Sequence, residues 1–137
     1  MRTLAIDLGD VRIGFAQTDP MEIIATGLES YKRKTLKEDI DHIVDIVKNN
    51  QVGKIVIGLP LNMDGTEGPR VEKTKEFVAQ LQQAVDVEII MQDERLTTVS
   101  AEEILIESGM RREKRKDYID KVAATIILQS YLNSKRW

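Results

Sequence analysis

The sequence predicts an α/β layer fold built on one mixed sheet. Two observations carry this. Three strand-like runs follow one another with only turns between them: Thr3 to Leu8, Arg12 to Thr18 and Ile23 to Ser30. After them, short apolar runs alternate with amphipathic helical stretches, the pattern of β-α-β crossovers. The order is βββ-α-β-α-β-α-α, and the right-handed crossover rule places helices on both faces. The 137 residues are expected to form a single domain, residues 1–137, large enough for a real core.

In the first run, Leu4, Ile6 and Leu8 point to one face, while Thr3, Ala5 and Asp7 point to the other. A carboxylate in such a strand is costly unless something neutralises it, and no Lys or Arg shares its face. A metal ion or a fixed donor is one answer. A bond from Asp7 to the turn at Gly9-Asp10 is the structural alternative. Gly14 and Ala16 make one face of the second run small, which allows another element to pack closely. The Asp19-Pro20 turn leads to the third run, expected at a sheet edge.

Thr35 to Asn50 reads as the first helix, with Leu36, Ile40, Ile43, Val44 and Val47 on one stripe. His42 lies off that stripe and reads as a surface residue. Lys54 to Gly58 is a buried parallel strand. The loop that follows, rich in Gly and Pro, is long enough to suggest binding. Arg70 to Ala84 forms the second helix, with Val71, Thr74, Phe77, Val78 and Leu81 inward. Val87 to Gln92 is the next strand, ending in Asp93-Glu94-Arg95. Thr97 or Thr98 can cap a third helix that runs to Ser108, where Gly109 stops it. The last helix is expected over Tyr118 to Leu132, with Ile119, Val122, Ala123, Ile126 and Ser130 as its core stripe.

Composition narrows the chemistry. There is no Cys, which excludes disulfides, thiolate metal sites and Cys nucleophiles, and fits a cytoplasmic location. A single His makes His-rich metal sites and Ser-His-Asp triads poor readings. No signal peptide or membrane span is visible, so no membrane partner is expected. The formal net charge is −3, yet Arg111, Arg112, Lys114, Arg115 and Lys116 crowd into six positions. That run reads either as a solvated loop or as a loop that grips nucleic-acid phosphates.

In a sheet of this kind, ligands lie outside the carboxyl ends of the parallel strands. Asp7, the Gly58–Gly68 loop and Asp93-Glu94 converge there. Asp120 in the last helix has Ala123 and Ala124 one turn later, which lets that helix approach the small face around Ala5 and Asp7. Close carboxylates repel, and a divalent cation removes the conflict. Oxygen-only ligands suit Mg²⁺ or Mn²⁺, one or two ions. Asp7, Glu94 and Asp120 would then be both metal ligands and catalytic groups in phosphodiester hydrolysis. The structural alternatives are a surface ion pair for Glu94 and a helix-dipole charge for Asp120. Arg12 can pair with a carboxylate or a substrate phosphate. Thr98 can orient Glu94 or cap its helix. Asn62 can bond a substrate phosphate or hold its own loop.

Four stretches together resemble a known family. They are Asp7-Leu8-Gly9-Asp10-Val11-Arg12-Ile13-Gly14, Gly58-Leu59-Pro60-Leu61-Asn62-Met63-Asp64-Gly65, Asp93-Glu94-Arg95-Leu96-Thr97-Thr98 and Ile119-Asp120-Lys121-Val122-Ala123-Ala124. In this order they are similar to the YqgF (RuvX) family of bacterial RNase H-like proteins, across essentially the whole chain. The resemblance implies a ribonuclease H-like fold with a five-stranded mixed sheet. It implies a metal-dependent nuclease for 5′-end processing of precursor 16S rRNA, with Asp7, Glu94 and Asp120 as catalytic carboxylates. Arg12, Asn62 and Thr98 fall on motif positions. RuvC-type enzymes place an acid after the fourth strand, where this chain has Gly58-Leu59-Pro60. Asp93, Asp117 and Asp10 are the weaker candidates for a fourth acid.

The expected partners are structured RNA, as in a ribosomal precursor, or branched DNA, with the chain a monomer or weak dimer. A Holliday junction resolvase shares the chemistry but needs two sites, hence a dimer. A non-catalytic RNA-binding assembly factor would bind without cutting. An ATP-handling domain of the actin type needs two copies of the fold, and the chain holds one. A P-loop is absent.

Overall fold

Five strands build the sheet: β1 (Arg2–Leu8), β2 (Arg12–Thr18), β3 (Ala25–Lys32), β4 (Val52–Leu59) and β5 (Glu88–Asp93). Three helices cover it among the described residues: α1 (Leu36–Asn49), α2 (Pro69–Ala84) and α3 (Arg112–Lys135). The description is a computed structural model. It covers residues 1–60, 64, 67–93, 104, 106–110 and 112–135, with backbone alone at 112–117 and 135.

The strand order is β3-β2-β1-β4-β5. β1, β2 and β3 pair antiparallel, while β4 pairs parallel to β1 and β5 parallel to β4. The sheet is therefore mixed, and β3 is an edge strand as the sequence predicts. The alternation along β1 sorts its side chains onto two cores. Leu4 and Ile6 join Ile13, Phe15, Ile55 and Ile57 beneath α1 and α2. Ala5 joins Ala16, Val56, Ala124, Ile127, Leu128 and Tyr131 beneath α3. Burying each large aliphatic side chain contributes about 1.5–3 kcal/mol, so the α1/α2 side carries most of the apolar stabilisation. The α3 side is thinner, with Ala5, Ala16 and Ala124 in contact there, and the α3 backbone lies close to the strands at Gly14.

α1 is capped by Thr35. Thr35 Oγ1 accepts the Glu38 N–H at 3.1 Å and also bonds Glu38 Oε1 at 3.2 Å. Asp39, fully buried in the first turn, accepts from Arg33 Nε at 2.9 Å and from the Lys34 N–H at 2.9 Å. Arg33 Nη1 donates to the Gly9 carbonyl at 3.0 Å, which ties the β1–β2 turn to α1. α2 buries Val71, Thr74, Phe77, Val78 and Leu81, the five residues its periodicity predicts. In α1, Ile40, Ile43 and Ile46 are buried, while Leu36 stays 45% exposed at the first turn.

Three expectations are corrected. β3 begins at Ala25, not Ile23. Asp19 explains this: its carboxylate accepts the N–H groups of Met21, Ile23 and Ile24, the last two at 2.8 Å. That turn takes the backbone of Ile23 and Ile24 out of the ladder and leaves both side chains exposed. His42 is half-buried rather than on the surface. Its ring stacks on Tyr31 with centroids 4.1 Å apart, and Nε2 contacts Glu29.

The third correction concerns α3. It begins at Arg112, so Arg112, Lys114, Arg115 and Lys116 lie on a helix and not in a loop. Arg, Glu and Lys are strong helix formers, and no Gly or Pro separates them from the packed part of the helix. Gly109, at φ +80°, supplies the break one turn earlier. The buried stripe of α3 is Ala123, Ala124, Ile127, Leu128, Tyr131 and Leu132, in place of Ile119, Val122, Ile126 and Ser130. Of the predicted stripe only Ala123 is fully buried. Where it crosses the strands most closely the helix turns Ala123 and Ala124 inward, and its larger buried residues, Ile127, Leu128, Tyr131 and Leu132, follow from the next turn on.

Candidate functional site

One row of residues crosses three strands on the α3 face. Asp7 on β1 is the register partner of Gly14 on β2, and Gly14 is the partner of Ser30 on β3. α3 crosses directly above this row. A Cβ on Gly14 would lie 1.9 Å from the Asp120 carbonyl oxygen, so only glycine permits the crossing. The same happens one step along, where a Cβ on Gly27 would meet Lys121 Cγ at 2.6 Å. This close approach sets Asp120 beside Asp7. Ser30 Oγ donates to Asp120 Oδ2 at 3.3 Å. Arg12 shares the Gly14 face of β2, two residues earlier, and its charge acts on Asp120.

The electrostatics follow from this packing. Burial, reinforced by the negative charge of Asp120, pushes the Asp7 carboxyl up to about 7, while Arg70 opposes the rise. Burial also raises Asp120, against the hydrogen bond from Ser30 and the charge of Arg12. Among the described residues, no side chain or backbone group forms a hydrogen bond or ion pair with the Asp7 carboxylate. The Gly9 N–H, one candidate partner in the turn, donates instead to the Arg12 carbonyl at 2.9 Å. Asp120 lies eight residues into α3, well past the first turn, so the helix dipole does not account for it.

The two carboxylates are thus brought together by close backbone packing, and the charge of Asp120 raises the cost of ionising Asp7. That donor set fits a divalent cation. Oxygen ligands only, with two negative charges in one place, suit a hard cation such as Mg²⁺ or Mn²⁺. Among the described residues no group of three acidic or His side chains is gathered.

The structure brings together Asp7, Asp120 and Arg12 of the residues selected from the sequence. Glu94, Asn62, Thr98 and Arg111 lie outside the described residues. So do the side chains of Arg112, Lys114, Arg115 and Lys116. Asp10, a weak fourth-acid candidate, turns outward and pairs with Arg70 at 3.4 Å. Three contributors were missed by sequence reasoning: Ser30, Arg70 and Arg33. Ser30 could have been found from hairpin register, which puts it level with Gly14. Arg70 and Arg33 carry no local signal, because their roles depend on how the starts of α1 and α2 lie against the β1–β2 turn.

A mixed five-stranded sheet in this order, with helices on both faces, is the RNase H-like fold of the RuvC nucleases. The Thermus thermophilus RuvC–Holliday junction complex superposes with a TM-score of 0.59 at 13% identity, covering 99% of this chain and 96% of that one. A fowlpox virus resolvase bound to Holliday junction DNA gives 0.61 at 12% identity, covering 98% and 99%. The chain belongs to the RuvX family, whose description reads "RuvX: Holliday junction resolvase", matched over residues 1–134. Relatives named "Putative pre-16S rRNA nuclease" include one from Halothermothrix orenii, 49% identical over 97% of this chain and 95% of its own length. Another, from Clostridium tetani, is 51% identical over 98% and 97%. The fold and family expected from the four sequence stretches are therefore borne out.

Proposed function

We propose that the chain is a metal-dependent nuclease that hydrolyses phosphodiester bonds of precursor 16S rRNA at its 5′ end, with Asp7, Asp120 and Glu94 as the metal-binding carboxylates. The observation that carries this reading is the packing of Asp120 over Gly14, level with Asp7. Nothing in the fold requires two carboxylates there, and the burial costs stability. The names carried by relatives near 50% identity supply the substrate.

Asp7 is carried by the central strand β1 and Asp120 by a helix packed tightly over Gly14 of the neighbouring strand, so the backbone holds the two residues side by side. Ser30 holds Oδ2 of Asp120 by donating to it and leaves the other oxygen available. Arg12, next to Asp120 and at the rim, attracts a substrate phosphate to the pair. Glu94 would complete the set from the segment after β5. A divalent cation held by these carboxylates would supply the charge that activates water and stabilises in-line attack on phosphorus.

The test is cleavage of an end-labelled precursor 16S rRNA 5′ leader beside a four-way DNA junction, in Mg²⁺, Mn²⁺ and EDTA. The expected result is metal-dependent cleavage of the RNA, with Asp7→Asn inactive. Cutting of the junction alone would move the assignment to a resolvase, the reading favoured by the family description. Tight RNA binding without cleavage would favour an assembly factor.

A further inference from the structure

On the other side of the β1–β2 turn from Asp120, an open cleft of ≈ 540 Å³ is lined by Asp10, Val11, Arg33, Lys34 and Lys73. Three of these five are cations, in a chain whose formal net charge is −3. The lone acid is already answered, since Asp10 accepts from Arg70 Nη2 at 3.4 Å. Arg33 is committed too. Its Nε holds buried Asp39 and its Nη1 holds the Gly9 carbonyl. Lys34 and Lys73 are different: among the described residues, neither ammonium group has an anionic partner. Two unanswered lysines facing one open cleft disfavour an internal structural role, which would supply a carboxylate. They suit an anion that arrives from solution.

The cleft adjoins the candidate site. Asp10 and Val11 form the turn that follows Asp7 by three residues. Arg70 links the two places, because it pairs with Asp10 while its charge reaches Asp7. A polymer lying across the carboxyl edge of the sheet would touch both. A small free anion would gain little from so open a cleft, whereas a phosphate on a polymer is held by its neighbours as well.

We propose that Lys34 and Lys73 bind a backbone phosphate of the RNA strand flanking the bond presented to Asp7 and Asp120, so that the strand crosses the rim at the β1–β2 turn. This rests on the nuclease reading above for its substrate. Arg33 serves as the rigid wall, holding turn and helix together while the two lysines, flexible point charges, make the contacts.

The experiment is fluorescence anisotropy with a labelled RNA fragment of the precursor 16S 5′ leader, in EDTA so that no cleavage intervenes. Wild type is compared with Lys34→Gln, Lys73→Gln, the double variant, Asp10→Asn and the exposed control Lys48→Gln. Each lysine variant should weaken binding by roughly 3- to 10-fold at low salt. The double variant should flatten the plot of log affinity against log salt by about 0.7, the slope expected for the one single-strand phosphate contact it loses, and each single variant by less. Asp10→Asn should tighten binding, and Lys48→Gln should leave affinity and slope at wild-type values. A double variant that binds with wild-type affinity and slope overturns the proposal, as does a wild type that does not bind the RNA. Dependence on these lysines for a four-way DNA junction but not for the RNA overturns it as well. If wild type binds through the lysines but cuts nothing in Mg²⁺, the nuclease reading fails while the cleft survives.

Discussion

Asp7 sits in a strand whose preceding four residues are all buried, and it has no described partner. Its chemistry follows from that. In metal-free protein its carboxyl titrates near 7, against the ordinary 3.8 of the unfolded chain. The folded state therefore holds a proton that the unfolded state has released between those values. Stability from this group is full below about pH 4, falls as pH rises towards 7, and stays low above it. Asp7→Asn should remove that fall and raise stability at about pH 8 by up to roughly 4 kcal/mol. Urea midpoints of both proteins in EDTA, at about pH 5 and about pH 8, check this. Equal slopes in the two would mean that Asp7 ionises freely. Ser30→Ala should act on the other carboxylate. Without the donated hydrogen bond Asp120 rises further, so the acidic limb of the cleavage–pH profile should move to higher pH while the fold is kept.

At the scale of elements, the close crossing of α3 over β2 positions the site. Gly14→Ala should place a methyl group inside the Asp120 carbonyl, so the helix must lift. We expect a loss of about 2–3 kcal/mol in chemical denaturation and cleavage reduced to background, with near-native far-UV circular dichroism. Retained activity would show that Asp120 does not need this seat. Asp39→Ala should cost about 3 kcal/mol, since it leaves Arg33 partly buried without its carboxylate. Thermal melts of Asp39→Ala and of Arg33→Ala should fall together if the pair acts as one tether.

Much of this element scale was legible in the residues. The alternation in Thr3–Leu8 sorts Asp7 away from Leu4 and Ile6, and the small residues Gly14, Ala16, Ala123 and Ala124 announce a close helix–strand contact. The start of α3 was not legible, because a dense charge run was read by its solvation rather than by the helix propensity of Arg, Lys and Glu. Its buried stripe was misread for a related reason. Large apolar side chains at Ile119, Val122 and Ile126 look like core, yet they are only partly buried, because the close crossing turns the face with Ala123 and Ala124 inward and with it Ile127 and Leu128. The start of β3 was missed because Asp19 captures the backbone N–H groups of Ile23 and Ile24, which strand propensity alone assigns to the ladder.

The molecule as a whole is a sheet with unequal sides. α1 and α2 cover the thick apolar face, and α3 rides low on the other, where the two carboxylates meet. Among the described residues no helix is long and apolar enough to cross a membrane. Asp7 and Asp120 lie on the α3 face, and across the rim Lys34 and Lys73 have no anionic partner among the described residues. The fold was legible from element order, whereas the convergence of Asp7 and Asp120 could only be inferred, because residues 113 positions apart meet through packing that no local window contains.

The central claim is that Asp7 and Asp120 together hold a divalent cation. The most direct measurement is the thermal midpoint of wild type, Asp7→Asn and Asp120→Asn with and without millimolar Mn²⁺. A ligand that binds only the folded state must raise the midpoint. The account predicts a clear rise for wild type and none for either variant. An equal rise in all three would place the cation elsewhere and contradict it.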